Sequence, residues 1–91
     1  MLGEVKMTGN GDLPRIGIVG GGRLAQAMAG MLQRLPTELG VWSRKRKSAE
    51  TVSAISKRIS VYDELSSLVD ESQILALALP AHALNDVVED L

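Results

Sequence analysis

Cysteine is absent from this 91-residue chain, and aromatic side chains are almost absent. Without a thiol the chain can form neither a disulfide framework nor a thiolate metal site, so we expect no metal and a reducing cytoplasm as the compartment. The aromatic residues are one Trp and one Tyr. That is too few for the stacking platform of a protein that binds single-stranded nucleic acid, so we expect no nucleic acid as a partner.

Long apolar runs are also absent. No segment approaches the roughly 18 apolar residues that a membrane span requires, and the N-terminus lacks the apolar core of a signal peptide. Hydrophobic residues make up 45% of the chain and charged residues 23%, which is typical of a globular protein. The sequence therefore predicts one small domain that does not enter a membrane.

The net charge of −1 conceals a strong asymmetry along the chain. Residues 1–58 contain all ten Lys and Arg together with four acids, a net charge of +6. Residues 59–91 contain seven acids and no base, a net charge of −7. The positive half suits an anionic ligand.

A glycine cluster follows the first apolar strand in this positive half. Gly20, Gly22 and Ala25 match the first, third and sixth positions of the G-x-G-x-x-G/A fingerprint of dinucleotide-binding proteins. The first glycine permits a tight turn, the second permits backbone N–H groups to approach a pyrophosphate, and the small sixth residue permits close packing of helix on strand. The alternative is that the cluster is an ordinary turn.

The residues at the end of the second strand strengthen the first interpretation. About twenty positions after the glycines, the fingerprint expects an acid that binds the adenosine ribose 2′-OH. This chain instead has Ser43, followed by four consecutive cations at residues 44–47. Because a 2′-phosphate needs charge-assisted donors, the pattern favours NADP over NAD as the cofactor. The alternative is a solvated basic turn.

Hydrophobic periodicity predicts an α/β domain of order βαβαβαβα over residues 14–91, after a flexible leader of residues 1–13. Its parallel Rossmann-type sheet should have the strand order 3-2-1-4, with an apolar fourth strand at an edge that invites pairing with another chain. We expect Asp63 to cap the third helix. The expected strands are residues 16–19, 39–42, 59–61 and 74–79, and the expected helices are residues 23–35, 49–56, 64–69 and 83–91.

Three segments together resemble the N-terminal NADP-binding domain of pyrroline-5-carboxylate reductases: residues 16–28, the Ser43-Arg44 turn, and residues 79–82 after the fourth strand. The wider group with the same opening includes the F420-dependent NADP oxidoreductases, and glycerol-3-phosphate dehydrogenases are more distant relatives. Arg23 and Leu79 depart from the reductases, which usually have Asn and Lys there. The motifs and the resemblance together imply that NADP(H) is bound by Gly20, Gly21, Gly22, Arg23, Leu24, Ser43, Arg44, Lys45, Leu79 and Pro80.

The resemblance implies an oxidoreductase that transfers hydride between the nicotinamide cofactor and a small substrate. In the families named, a following helical domain binds the substrate and forms a homodimer, so we expect this chain to be part of a larger enzyme and inactive alone. No catalytic constellation is visible in it. Two alternatives remain open, a non-catalytic NADP(H)-binding or sensing module and the cofactor domain of a glycerol-3-phosphate dehydrogenase. We interpret His82 as an ordinary surface residue.

Overall fold

The computed structural model describes residues 13–79, 83 and 87–89. Over these residues the chain forms a four-stranded parallel sheet in the order β3-β2-β1-β4. This Rossmann-like architecture confirms the predicted fold class and strand order. Most of the leader, Pro80, His82 and most of the predicted fourth helix lie outside the described residues. The elements are β1 (Arg15–Val19), α1 (Arg23–Leu32), β2 (Glu38–Trp42), α2 (Arg46–Ser53), β3 (Ile59–Val61), α3 (Leu65–Glu71) and β4 (Ile74–Leu77).

The main core lies between one face of the sheet and the helices α1 and α2. Ile18 and Val41 are paired in register on β1 and β2 and are completely buried. The small residues Ala25 and Ala29 of α1 are also completely buried against this face. Their size lets the helix axis approach the sheet, so the start of α1 is held close to the end of β1.

The second face of the sheet is covered by α3. Gly17 and Gly40 are register partners on β1 and β2, and an ideal Cβ at either position would lie 2.9 Å from a side-chain carbon of Leu68. Leu68 therefore fills the space that the two glycines leave. It forms a second apolar cluster with Val19 and Val87.

Arg58 fastens the end of α1 to the start of β2. Its guanidinium donates hydrogen bonds to the carbonyls of Gln33 at 2.8 Å and Leu35 at 2.9 Å, and also to the carbonyl of Thr37. Carbonyls at the end of a helix have no partner within the helix, so a cationic donor is favourable there.

Several predicted details are wrong at the helices. α1 ends at Leu32 and not at residue 35, and α2 begins at Arg46 and not at residue 49. Asp63 does not cap α3, since the N-cap position is Glu64 and its side chain makes no capping hydrogen bond. The Asp63 carboxylate contacts Arg46 instead.

The predicted fourth strand is two residues too long, but its predicted place at an edge of the sheet is confirmed. β4 pairs with β1 alone among the described strands, and its residues are exposed or half-buried, with Ile74 56% exposed. An edge strand with one neighbour has less cover than a central strand. Residues 78 and 79 continue past its last ladder position, Leu77.

Candidate functional site

The glycine loop connects β1 to α1 at the carboxyl edge of the sheet. Gly20 has a φ of 134°, a conformation that favours glycine, and its N–H donates to the Trp42 carbonyl at 2.8 Å. An ideal Cβ at Gly20 would lie 2.3 Å from the carbonyl oxygen of Ala78. The loop is thus anchored between the end of β2 and the end of β4, and only glycine fits at this position.

Gly21 and Gly22 have contrasting surroundings. An ideal Cβ at Gly21 would lie 2.4 Å from the Cβ of Ser48, whereas one at Gly22 would meet nothing within 4 Å. Gly22 is exposed and adopts φ −86° and ψ −162°, which other residues adopt without strain. The absence of a side chain at Gly22 therefore keeps the surface open and does not relieve a packing conflict.

The first turn of α1 is equipped to receive an anion. Gly22 is its N-cap residue and supplies no side-chain cap, and the turn contains no acidic residue. The first N–H groups of a helix lack partners within it and carry partial positive charge, so they favour a phosphate placed before them. Arg23 is the first helical residue and is exposed.

A groove of about 720 Å³ lies beside this loop and brings the sequence-predicted residues together. Eight of the ten predicted positions line it, Gly20 is not among the lining residues, and Pro80 is outside the described residues. Sequence reasoning missed Ser48 and Ala78. The lining residues are Gly21, Gly22, Arg23, Leu24, Ser43, Arg44, Lys45, Ser48, Ala78 and Leu79.

The chemical character of the groove changes from one end to the other. Ser43, Arg44 and Lys45 follow β2, and Leu79 follows β4 on the other side of β1. One end is therefore hydroxylated and cationic, the middle is glycine backbone, and the far end is apolar. The described lining includes three cations and no acid, so the whole groove favours an anion.

The basic run of residues 44–47 does not act as a unit. Arg44 and Lys45 line the groove, but Arg46 contacts Asp63 and forms an ion pair of 3.1 Å with Glu50. Lys47 is exposed and does not line the groove. The division follows from the start of α2 at Arg46, because the helical turn directs successive residues to different sides.

A second cavity, of about 510 Å³, lies at the amino edge of the sheet. Its charged side chains are paired: Arg15 lies 3.2 Å from Glu38 and 4.0 Å from Glu71, and Tyr62 also donates to Glu71 at 2.7 Å. The hydrogen bond to Glu71 raises the pKa of Tyr62 above its ordinary value of 10.0, and burial adds to the increase. None of the sequence-predicted site residues lines this cavity.

Residues 13–79, 83 and 87–89 contain no group of three or more His, Cys, Asp or Glu placed to hold a metal ion. Within the same residues, no helix has the length and apolar character needed to cross a membrane.

A parallel sheet of order 3-2-1-4 with a glycine loop at the carboxyl end of β1 defines a dinucleotide-binding domain of the Rossmann class. Residues 8–88 match the family model described as the NAD binding domain of D-isomer specific 2-hydroxyacid dehydrogenases. The chain belongs to this family.

Relatives among known proteins agree with that assignment. The chain is 27% identical over 88 residues to a glycerol-3-phosphate dehydrogenase [NAD(P)+] of Thermoanaerobacter sp. (strain X514), covering 85% of this chain and 27% of that protein. It is also 27% identical over 89 residues to the enzyme of the same name from Acinetobacter baumannii, covering 85% of this chain and 25% of that protein. The chain thus spans about a quarter of the length of these relatives.

Among solved structures, the fold resembles the shikimate dehydrogenase of Mycobacterium tuberculosis. The TM-score is 0.66 at 20% identity, and the match covers 86% of this chain and 33% of that one. The predicted resemblance is therefore confirmed at the level of a dehydrogenase dinucleotide-binding domain. The matches do not single out the pyrroline-5-carboxylate reductases.

Proposed function

We propose that this chain is the NADP(H)-binding domain of an oxidoreductase. The observation that carries the proposal is the meeting of Ser43, Arg44 and Lys45 with the glycine loop in one groove whose described lining has no acid. Enzymes of this class that prefer NAD place an acid at the end of β2 to bind the ribose 2′-OH. A hydroxyl and two cations at that place do not repel a 2′-phosphate, and they can donate hydrogen bonds to it.

The chemical character of the groove favours one orientation of the cofactor along it. The cationic end beside β2 would hold the adenosine 2′-phosphate, and the first turn of α1 would hold the pyrophosphate, with Gly22 leaving the backbone accessible. Leu24 and Leu79 would border the nicotinamide end. The bound cofactor supplies hydride chemistry, and the residues of this chain bind and orient it.

The substrate that is reduced would bind to a part of the complete protein that lies outside these 91 residues. We propose that the complete protein is a cytoplasmic homodimer whose additional domain supplies the substrate site, and that the chain alone has no turnover. Two substrate classes fit the observations: the resemblance in the glycine segment favours a pyrroline-5-carboxylate reductase, whereas the relatives at 27% identity favour a glycerol-3-phosphate dehydrogenase. Reductase assays of the complete protein with each substrate distinguish them.

Calorimetric titration of the chain with NADPH and with NADH tests the cofactor assignment. We expect NADPH to bind more tightly. Arg44→Asp should weaken NADPH by at least roughly tenfold, since a charge-assisted hydrogen bond contributes about 1.5–3 kcal/mol. NADH should bind about as before, because it presents no 2′-phosphate.

Lys47→Asp is the matched control, since it makes the same change of charge three residues away and outside the groove. It should leave the preference nearly intact. Equal binding of NADPH and NADH by the unaltered chain contradicts the NADP assignment. Absence of binding for both, with a folded far-ultraviolet circular dichroism spectrum, contradicts the cofactor site itself.

A further inference from the structure

Ser48 lies where the cationic end of the groove meets the glycine loop. It is the third residue of α2, five positions beyond the end-of-strand position where the fingerprint expects an acid. An ideal Cβ at Gly21 would lie 2.4 Å from Ser48 Cβ and 3.1 Å from Ser43 Oγ. Two serine side chains therefore approach the same point of the loop from the end of β2 and from the start of α2.

The hydroxyls of Ser43 and Ser48 are available as donors. Among the described residues, neither Oγ takes part in a hydrogen bond or other polar interaction. The backbone N–H of Ser48 already donates to the Lys45 carbonyl at 3.0 Å, which closes the first turn of α2 directly after Arg44. The half-buried Ser48 lines the groove together with Arg44 and Lys45.

We propose that Ser48 is a specificity-determining residue of this groove, which donates a hydrogen bond to the 2′-phosphate of NADP(H) together with Ser43. The inference rests on the proposed function, and it assigns a residue outside the Ser43–Lys45 segment to the discrimination between the two cofactors. The Ser48 Cβ separately fills the space beside Gly21. The packing contact and the hydroxyl contact are therefore carried by different atoms of one side chain.

Ser48→Ala separates these two roles, because it keeps the Cβ and removes the hydroxyl. We expect about tenfold weaker binding of NADPH and of adenosine 2′-monophosphate, the loss typical of one hydrogen bond to a charged group. NADH and adenosine 5′-monophosphate should bind as to the unaltered chain. Ser48→Thr retains the hydroxyl and should restore most of the NADPH affinity.

Ser48→Asp supplies the opposite change at the same site. Its carboxylate should repel a 2′-phosphate and lower NADPH affinity by more than the alanine variant does, while NADH binding remains. An acid in the first turn of α2 is favourable to the helix, so this loss would not come from unfolding. Ser66→Ala and Ser66→Asp, on the exposed side of α3, are the matched controls and should change neither cofactor.

The titrations, with a circular dichroism spectrum of each variant, give distinct outcomes. NADPH binding unchanged in Ser48→Ala overturns the role of the hydroxyl while leaving the proposed function intact. An equal weakening of NADPH and NADH in that variant also overturns it, because it indicates packing alone. An unaltered chain that does not prefer NADPH overturns the proposed function and this inference together.

Discussion

Gly20 and Gly22 should respond in different ways to substitution by alanine, the first by losing stability and the second by losing ligand affinity. In Gly20→Ala the new side chain must adopt a φ of 134° and displace the Ala78 carbonyl, which lies 2.3 Å from the ideal Cβ position. A sparsely populated backbone conformation costs about 1–3 kcal/mol, and overpacking typically costs about 1–3 kcal/mol more. We therefore expect the free energy of unfolding to fall by about 2–6 kcal/mol, a large part of the total stability of a small domain.

Gly22→Ala should leave stability nearly unchanged. Its backbone is extended, and the ideal Cβ meets nothing within 4 Å. Alanine reduces the entropy of the unfolded chain, which stabilises by about 0.4–1 kcal/mol, but it is a poorer N-cap than glycine by a comparable amount. The methyl group would, however, stand between a pyrophosphate and the loop backbone, so NADPH affinity should fall by at least roughly tenfold.

Urea unfolding followed by far-ultraviolet circular dichroism measures the first quantity, and calorimetric titration with NADPH measures the second. The reasoning predicts that one variant loses stability and the other loses affinity. A Gly22→Ala chain destabilised as much as Gly20→Ala would refute the distinction between a structural and a ligand-facing glycine. So would a Gly20→Ala chain as stable as the unaltered one.

Three further outcomes follow from contacts away from the groove. Arg58→Ala removes three hydrogen bonds to carbonyls after α1 and should lower the free energy of unfolding by about 1–3 kcal/mol in urea; unchanged stability would show that water replaces the guanidinium without loss. Gly40→Ala places a Cβ 2.6 Å from the ring of Tyr62 and should lower the free energy of unfolding by about 1–3 kcal/mol. An unchanged midpoint of thermal unfolding would contradict this expectation. The raised pKa of Tyr62 means that the folded state holds the phenol proton more tightly than the unfolded state does. The stability that this proton contributes is therefore complete below pH 10 and is lost as the pH rises through the folded-state pKa. Tyr62→Phe should therefore show a weaker loss of stability than the unaltered chain in alkaline melts, and identical alkaline slopes would contradict this assignment.

Sequence reasoning succeeded where one local pattern permits one structure. The order of strands and helices set the 3-2-1-4 sheet, and the fingerprint spacing located the loop that borders the groove. The side of α1 that faces the sheet does not follow from hydrophobicity alone, because apolar residues occupy more than one side of that helix. Large residues such as Leu24 and Met31 are 54% and 72% exposed, while Ala25 and Ala29 face the sheet. Close approach to the sheet requires small side chains, whereas a hydrophobic pattern favours burial of the largest apolar residues.

The missed residue Ser48 has a similar origin. The four cations at residues 44–47 are typical of a loop, which predicts that α2 begins at residue 49, after Ser48. With the helix beginning at Arg46, its first turn directs Ser48 to the glycine loop. The contact between Ser48 in α2 and Gly21 in the loop after β1 depends on the tertiary arrangement, and no local sequence pattern signals it.

The position of β4 gives the two walls of the groove unequal resistance to local opening. The wall after β2 adjoins a strand paired on both sides, whereas Ala78 and Leu79 continue from an edge strand that pairs with β1 alone among the described strands. Amide hydrogens of edge strands exchange with solvent through smaller openings than those of central strands. A ligand spanning both walls would therefore slow exchange in β4 more than in β1, and its affinity would include the free energy needed to hold that strand closed.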